Sequence, residues 1–212
     1  MRVINFGSLN VDHVYNVEHF VKPGETIASQ EYQQFVGGKG LNQSIALARA
    51  GATVSHAGSI GADGLMLRDV LIDDGVDVSF VFEVDQPSGH AIIQVDPTGE
   101  NCILLHGGAN QCNAPEMIHS VFDSADPGDM VLLQNEINDL PEIINQAAAK
   151  GLIVVFNPAP MSRDVLEYPL HKVDYLILNQ TEAVALTSAE KISKVLQTLG
   201  QCHPNSKVIL TL

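Results

Sequence analysis

The sequence predicts an α/β protein with a doubly wound, mostly parallel sheet and a small antiparallel β lid. Short apolar segments alternate with amphipathic ones along most of the 212 residues, a pattern typical of parallel strands joined by helices. Two stretches, 12–35 and 79–106, replace that alternation with consecutive strand-like segments. With 45% hydrophobic residues, the chain can bury the core of a single domain.

The N-terminal part predicts two strand–helix units. The segment "RVINFG" predicts a buried strand, and residues 40–50 predict a helix with its apolar residues on one face. "TVSHAGSI" predicts the next strand, and residues 63–74 predict a helix that ends at Gly75, a typical helix-terminating residue. Strand, helix and strand in succession form the repeating unit of a parallel sheet.

The C-terminal part repeats this alternation. Its strand segments are short and rich in Val, Ile or Leu, as expected for strands covered on both faces. The predicted strands cover 130–134, 152–158, 173–179 and 207–212, and the predicted helices cover 139–150, 180–187 and 190–200. We expect right-handed crossovers that place helices on both sides of the sheet, the layering of Rossmann-type folds.

The irregular stretches predict the β lid. The segments "FVFEV", "GHAIIQV" and "NCILLH" follow one another, separated by the turn sequences "DQPS" and "DPTG". The segments "HVYNV" and "QEYQQF" lie in the earlier stretch. Strands that follow strands indicate antiparallel pairing, so we expect residues of about 12–35 and 79–106 to form the lid. Its expected place is over the carboxyl ends of the parallel strands, where open α/β sheets bind ligands.

The composition argues against several kinds of partner. A formal net charge of −14 and an isoelectric point near 4.7 disfavour nucleic acid and anionic membranes. Cys102, Cys112 and Cys202 are odd in number and far apart, so neither a disulfide framework nor a zinc cluster is indicated. The start of the chain lacks the sections of a signal peptide, and no apolar stretch approaches membrane-spanning length. We expect a soluble, cytoplasmic protein.

The loop "GGKG" before the first predicted helix matches neither common phosphate-binding loop. A P-loop needs Ser or Thr after its lysine, whereas Lys39 is followed by Gly40. The dinucleotide fingerprint fails because Gln43 stands where its last glycine is needed. Gly38 still allows close backbone approach to a ligand, and the following helix, with Asn42 in its first turn, offers N–H groups. An ordinary connecting loop with a solvated lysine is an equally good interpretation of this stretch alone.

Polar residues follow three of the predicted strands. Asn10 and Asp12 are two residues apart, so both point the same way in an extended segment, and an amide beside a carboxylate suits a neutral polyol. A turn stabilised by Asx hydrogen bonds is the alternative. Glu136 follows "MVLLQN", and a lone glutamate at such a position is usually solvated.

Asn179 and Glu182 are spaced as a capping box at the start of a helix. Their oxygens are also suited to a magnesium ion that keeps most of its waters. The spacing favours the cap, and the two roles are compatible.

These segments together resemble the ribokinase-like sugar kinases of the PfkB family. The similarity runs in order along the whole chain and is carried by "GSLNVDHVYNV", "PGET", "GGKGLNQSIALARAGA", "GSIGADG", "GENCILLHGGAN", "LLQNE", "NPAP", "LNQTEA" and "VILTL". The glycine–lysine string combined with the upstream Asn-x-Asp is the most specific part. The resemblance implies one ribokinase-like α/β core over 1–212.

The resemblance also implies roles for individual residues. The lid is implied to cover the bound sugar and also to form a homodimer surface. Asn179 and Glu182 are implied on the side of the ATP phosphates, with Glu182 contacting magnesium through water. The implied sugar-contacting residues are Asn10, Asp12, Gly38, Lys39, Gly40, Asn42 and Glu136, and lid residues Ala91, Ile93 and Leu105 are expected to pack on the substrate.

The implied activity is ATP-dependent phosphorylation of a sugar, with D-ribose converted to ribose 5-phosphate as the first choice. Kinases for deoxyribose, fructose or ketodeoxygluconate are the alternatives, and a sugar-binding chain without phosphotransfer is the alternative from another class. The implied cofactors are ATP, Mg²⁺ and a monovalent cation such as K⁺. The family's ATP-gripping glycine turn and its Gly-Ala-Gly-Asp motif with the catalytic base have no counterpart here. We expect them beyond residue 212 and expect no turnover from these 212 residues alone.

Overall fold

The computed structural model describes residues 1–189 and 191–211. Residues 190 and 212, which belong to two of the predicted elements, lie outside this described part. The elements in chain order are β1 (Val3–Phe6), β2 (Asn10–Asn16), β3 (Glu31–Gly37), α1 (Lys39–Arg49), β4 (Val54–Ile60), α2 (Leu65–Asp73), β5 (Asp77–Glu83), β6 (Gly89–Val95), β7 (Asn101–His106), α3 (Pro115–Asp123), β8 (Met130–Gln134), α4 (Leu140–Lys150), β9 (Ile153–Asn157), β10 (Tyr175–Asn179), α5 (Gln180–Thr187), α6 (Ile192–Cys202) and β11 (Lys207–Thr211).

The main sheet has seven strands in the order β11-β10-β9-β8-β1-β4-β5. Every neighbouring pair is parallel, which confirms the predicted doubly wound sheet. The chain builds outward from β1 in one direction through β4 and β5 and in the other through β8 to β11. The order in which strands are added therefore reverses beside β1. Such a topological switch point leaves a crevice at the carboxyl ends of the strands.

Helices cover both faces of this sheet. Helices α1 and α2 bury Leu41, Leu67 and Leu71 against β4 and β5. Helices α3 to α6 form the larger core on the opposite face, where Ile4 and Phe6 of β1 are fully buried. The alternation of side chains along a strand explains why consecutive residues of β1 serve different clusters. In the described residues, no helix combines the length and apolar character that crossing a membrane requires.

The element boundaries agree closely with the sequence patterns. Strand β8 and helix α5 have the predicted bounds, and Gly151 ends α4 in the left-handed conformation with φ 77°. Helix α3 was not predicted, although Pro115 in its first turn is a typical helix-start signal.

The lid is a separate four-stranded sheet in the order β3-β2-β6-β7. Its outer pairs, β2–β3 and β6–β7, are antiparallel, but the central pair β2–β6 is parallel. The prediction of an antiparallel lid was therefore wrong, and the sheet is mixed. The reason is that β2 and β6 leave the body side by side, with Asn10 paired to Gly89, and so run in the same direction.

The segment "FVFEV" does not belong to the lid, contrary to our expectation for 79–106. It forms most of β5, which pairs in parallel with β4 at the edge of the main sheet. Helix α2 precedes it, so β4, α2 and β5 form an ordinary crossover unit. Phe80 and Phe82 pack against the larger core, and this burial keeps the strand on the body.

A buried polar network joins β1, α1 and β8. The Asn5 side-chain amide donates to the Gly40 carbonyl and to Ser44 Oγ, both at 2.7 Å. Its oxygen accepts from Gln134 Nε2 at 2.9 Å. Asn5, Ser44 and Gln134 are fully buried, where an unmade hydrogen bond costs about 1–3 kcal/mol. The network therefore fixes the start of α1 against the centre of the sheet.

His56 of β4 completes the network as a neutral imidazole. Its Nε2 lies 3.2 Å from the Gly7 carbonyl, which only accepts, so Nε2 carries the proton and Nδ1 accepts from the Ser44 hydroxyl at 2.7 Å. Complete burial lowers the pKa of His56 to about 4, with the Gly7 hydrogen bond opposing the shift. Protonation of this ring would break the directed chain of hydrogen bonds.

We predict that His56 makes the fold less stable as the pH falls. Its pKa is about 4 when folded and near 6.5 when unfolded, so the unfolded state binds more protons between these values. The free energy of unfolding should therefore fall by about 2 kcal/mol between pH 7 and pH 5 on account of this residue. Urea unfolding at both pH values measures it. The variant His56→Gln should show a shallower decline, and an identical decline in both proteins would contradict the prediction.

Candidate functional site

The candidate site lies at the switch point, where β1 ends and the lid begins. Three segments meet there: the β1–β2 connection, the glycine loop before α1, and the residues after β8. The lid sheet extends from the same place, because β2 begins at Asn10 and β6 at Gly89. The predicted polar residues of the sugar side therefore come from different parts of the chain and converge at one edge of the sheet.

The glycine loop lies directly on the end of β1. A Cβ atom at Gly40 would be 2.4 Å from the Ser8 nitrogen and 2.5 Å from the Gly7 carbonyl carbon, closer than real side chains come to backbone. Gly38 has φ 96°, in the region that favours glycine. The Leu41 N–H donates to the Ser8 carbonyl at 2.9 Å. Glycine at positions 38 and 40 therefore lets the backbone of the loop pack directly on the backbone that follows β1.

The first-turn N–H groups of α1 are bonded to the protein itself, which corrects the expectation that they are free. Lys39 N donates to Glu136 Oε2 at 3.1 Å, and Gly40 N donates to Ser8 Oγ at 3.2 Å. Asn42 N donates to the Gly38 carbonyl at 3.0 Å. A ligand at this loop would therefore meet side chains, chiefly Lys39 and the exposed Asn42, more than bare helix N–H groups.

Glu136 is held in place, which corrects the expectation from its position alone that it is solvated. Its side chain is 6% exposed, and its Oε1 lies 3.0 Å from Lys39 Nζ. The Ser8 hydroxyl donates to Oε2, as does the Lys39 backbone. Ser8 was missed by the sequence analysis, since nothing local marks a serine whose partner is 128 residues away. The Lys39 side chain remains 41% exposed, so its ammonium keeps donors available to a ligand.

Asn10 and Asp12 lie on one face of β2, as their spacing predicts. Burial raises the pKa of Asp12, and the charge of Glu136 adds to this, while His13 and Lys39 act in the opposite direction. A Cβ atom at Gly37 would be 2.1 Å from Asp12 Oδ2, so the absence of a side chain there makes room for the carboxylate. Among the described residues, Asp12 has no hydrogen-bond partner, which leaves its oxygens available as acceptors.

Three apolar lid residues share the face of Asp12. Asp12 pairs with Ala91 across β2 and β6, and Ala91 pairs with Leu105 across β6 and β7. Ile93 is two residues from Ala91 and so lies on the same face. Ala91 is buried and Leu105 is exposed. The structure thus places an apolar wall beside the Asn10–Asp12 pair.

The predicted capping box at the start of α5 is confirmed. The Glu182 N–H donates to Asn179 Oδ1 at 2.8 Å, and Glu182 Oε2 accepts from the Asn179 N–H at 2.9 Å. Glu182 Oε1 accepts from Asn179 Nδ2 at 2.9 Å. Within the described part of the chain, no group of three metal-ligating side chains is arranged to hold an ion. Both carboxylate oxygens of Glu182 are thus engaged within the cap.

A cavity of about 610 Å³ connects the glycine loop with this capping box. It runs past the carboxyl ends of β9, β10 and β11, where sequence analysis overlooked Asn157 and Thr211. Asn157 ends β9 as Asn179 ends β10. This equivalent position was the sequence feature that could have identified Asn157 as a lining residue. The polar lining residues are Lys39, Gln43, Asn157, Asn179, Glu182 and Thr211.

Comparison with known proteins shows to which family the chain is similar. Residues 2–212 match the model of the pfkB family of carbohydrate kinases. A ribokinase of Haemophilus influenzae is 38% identical over 189 residues, which are 87% of this chain and 61% of that protein. The chain thus spans about three fifths of the length of that protein and of the ribokinase of Staphylococcus aureus.

Two solved structures extend the similarity to the fold. The ribokinase of Arabidopsis thaliana complexed with ribose and ATP has a TM-score of 0.83 at 28% identity, covering 99% of this chain and 71% of that one. The ribokinase of Cryptococcus neoformans in complex with ADP has a TM-score of 0.81 at 30% identity, covering 100% and 73%.

We predict that Gly40→Ala destabilises the protein by about 3 kcal/mol, because the new methyl group meets rigid backbone and the loop must move away from β1. Gly200→Ala is the matched control. Gly200 lies in α6 with open space around it, so alanine there should stabilise by up to about 1 kcal/mol. Urea unfolding of both variants measures these changes in the free energy of unfolding. Equal stability of wild type and Gly40→Ala would show that the loop can accept a side chain at residue 40, which would contradict the prediction.

Proposed function

The chain belongs to the pfkB family of carbohydrate kinases, and on this basis we propose that its site binds D-ribose for phosphorylation by ATP to ribose 5-phosphate. The observation that carries the proposal is the Asn10–Asp12 pair beside an apolar lid face, together with Lys39, which pairs with Glu136 and lines a cavity that leads to Asn179 and Glu182. A polyol suits the Asn10–Asp12 pair, the sugar end of the site, and a chain of phosphates suits the cavity, its phosphate end.

The sugar end offers hydrogen-bonding groups of both kinds. Asp12 provides carboxylate oxygens that accept from two hydroxyls, and Asn10 provides an amide. Lys39 and Glu136 form an ion pair that presents a charged donor and acceptor beside them. Gly38 and Gly40 keep the loop free of bulk, Asn42 lies in the next turn, and Ala91, Ile93 and Leu105 cover the apolar face of the ring. We expect lid closure to exclude water from the reaction.

The phosphate end takes ATP in the cavity between Lys39 and the capping box. Lys39 is placed to contact the transferred phosphate, since its side chain lines both the sugar site and the cavity. Asn179 and Glu182 lie at the far end. Magnesium bound to the ATP phosphates supplies charge neutralisation, and Glu182 would hold it through water. We assign neither the catalytic base nor a K⁺ site among the described residues.

Other sugars and a purely sugar-binding role are the alternatives that experiment must separate. Deoxyribose lacks a hydroxyl, so it would leave one buried polar group of the site unpaired, which usually weakens binding strongly. Fructose and ketodeoxygluconate differ in ring size or charge.

We predict that Asp12→Ala weakens D-ribose binding by about 2–4 kcal/mol, because the change removes charge-assisted hydrogen bonds and leaves sugar hydroxyls without partners. Titration calorimetry on wild type and variant measures this without requiring turnover. Asp12→Asn is the matched control that keeps the shape and loses the charge, and its affinity should fall between the two.

The accompanying test of function is release of ADP from MgATP by a protein that extends beyond these 212 residues through the Gly-Ala-Gly-Asp motif. Release should depend on D-ribose and be slower with 2-deoxy-D-ribose, whereas the 212 residues alone should give none. Ribose binding by the extended protein without ADP release would support the sugar-binding alternative. Equal ribose affinity in wild type and Asp12→Ala would exclude the proposed sugar site.

We further propose that the lid forms a homodimer surface, since every residue of its edge strand β7 is exposed. Ile103 is 55% exposed and lies on the face of Asp12. Apolar edge strands of this kind favour pairing with a second copy.

Light scattering should therefore give the mass of a dimer, and Ile103→Glu should shift it towards the monomer. Leu166→Glu replaces an equally exposed leucine outside the lid and should leave the mass unchanged. A wild-type protein that stays monomeric over a wide concentration range would contradict the proposal.

A further inference from the structure

We propose that Asn110 is a positioning residue that turns the NH₂ group of Asn10 towards the bound sugar. The inference rests on the proposed function and deepens it. Asn110 lies in the turn Gly108–Gln111, which follows strand β7 of the lid. It was part of the string "HGGAN" in the sequence, but its role depends on contacts with residues 100 positions away.

Asn110 is oriented by the backbone of Leu9. The Leu9 N–H, which can only donate, lies 2.9 Å from Asn110 Oδ1. The Leu9 carbonyl, which can only accept, lies 3.2 Å from Asn110 Nδ2. A backbone donor and a backbone acceptor thus define which end of the Asn110 amide is oxygen and which is nitrogen.

This orientation determines the orientation of Asn10. Asn110 Nδ2 donates to Asn10 Oδ1 at 2.7 Å. The opposite rotamer of Asn10 would place two NH₂ groups against each other. Asn110 is 2% exposed and Asn10 is 4% exposed, so water cannot replace the lost hydrogen bond. The Asn10 NH₂ group therefore points away from Asn110.

The Asn10 NH₂ group is available for a ligand. It makes no hydrogen bond with any described residue, yet it is not one of the polar atoms sealed from solvent. Asp12 lies two residues further along the same face of β2. The site thus presents a fixed donor from Asn10 and a fixed acceptor from Asp12 to neighbouring hydroxyl groups.

The same residue ties sugar recognition to the base of the lid. A Cβ atom at Gly89 would be 2.0 Å from Asn110 Nδ2 and 2.3 Å from Asn10 Oδ1, so the amide pair packs directly on the start of β6. Leu9 immediately precedes β2. The Asn110 carbonyl accepts from the Asn138 N–H at 3.4 Å, which joins the turn to the segment that follows β8. Asn110 therefore contacts the places where strands of the lid leave the body.

The test is a double-mutant cycle read by ribose affinity. Asn110→Asp still accepts from Leu9 but cannot donate to Asn10, so oxygen faces oxygen and Asn10 must turn its NH₂ group away from the sugar. We expect ribose affinity to fall about ten- to a hundredfold. Asn10→Ala should lose a similar factor, and the double variant should lose no more than Asn10→Ala alone. Additive losses, or normal affinity in a folded Asn110→Asp protein, would overturn the inference.

Two further measurements keep the result interpretable. Asn101→Asp, an exposed asparagine at the start of β7, is the matched control and should bind ribose as wild type does. Nitrogen-15 spectra test the contact without any sugar, because Asn10→Ala should shift the side-chain NH₂ resonances of Asn110. Unshifted resonances overturn the inference even if wild type fails to bind ribose, a failure that would count against the proposed function instead.

Discussion

The close approach of the glycine loop to the end of β1 is the constraint on which the rest of the site depends. Gly40 rests on the backbone of Gly7 and Ser8 at a separation that excludes any side chain. The buried side-chain amide of Asn5 donates to the Gly40 carbonyl, and the Gly40 N–H donates to Ser8 Oγ. Because α1 begins at this point, the position of Lys39, and through it the Glu136 ion pair, follows from the packing of two backbones.

The electrostatics of the site are local and do not follow the net charge of the chain. The formal charge of −14 disfavours a polyanion, yet Lys39 lines the cavity with an ammonium that Glu136 orients. Burial raises the pKa of Asp12, and the charge of Glu136 adds to this, while Lys39 acts in the opposite direction. Because Asp12 is partly buried, its carboxylate is less fully hydrated than one on the open surface.

The sequence predicted the features that depend on neighbouring residues. The β8 segment and the capping box of Asn179 and Glu182 are set by apolar runs and i, i+3 spacing, so both agreed with the structure. The pairing of β2 with β6 joins segments about eighty residues apart, and no local pattern indicates that it is parallel. Ser8 and Asn110 escaped notice for the same reason, since their partners lie 128 and about 100 residues away.

The polar network under the glycine loop has a direction, and this direction links its stability to the site. Gln134 donates to Asn5, Asn5 to Ser44, Ser44 to His56 and His56 to the Gly7 carbonyl. Asn5, Ser44 and His56 each accept one bond of this chain and donate the next, so a change at any of them reverses or breaks the next bond. The chain of bonds returns to Gly7, the residue against which Gly40 packs. Neutral His56 therefore contributes to the site from the neighbouring strand β4, by holding fixed the backbone on which the glycine loop rests.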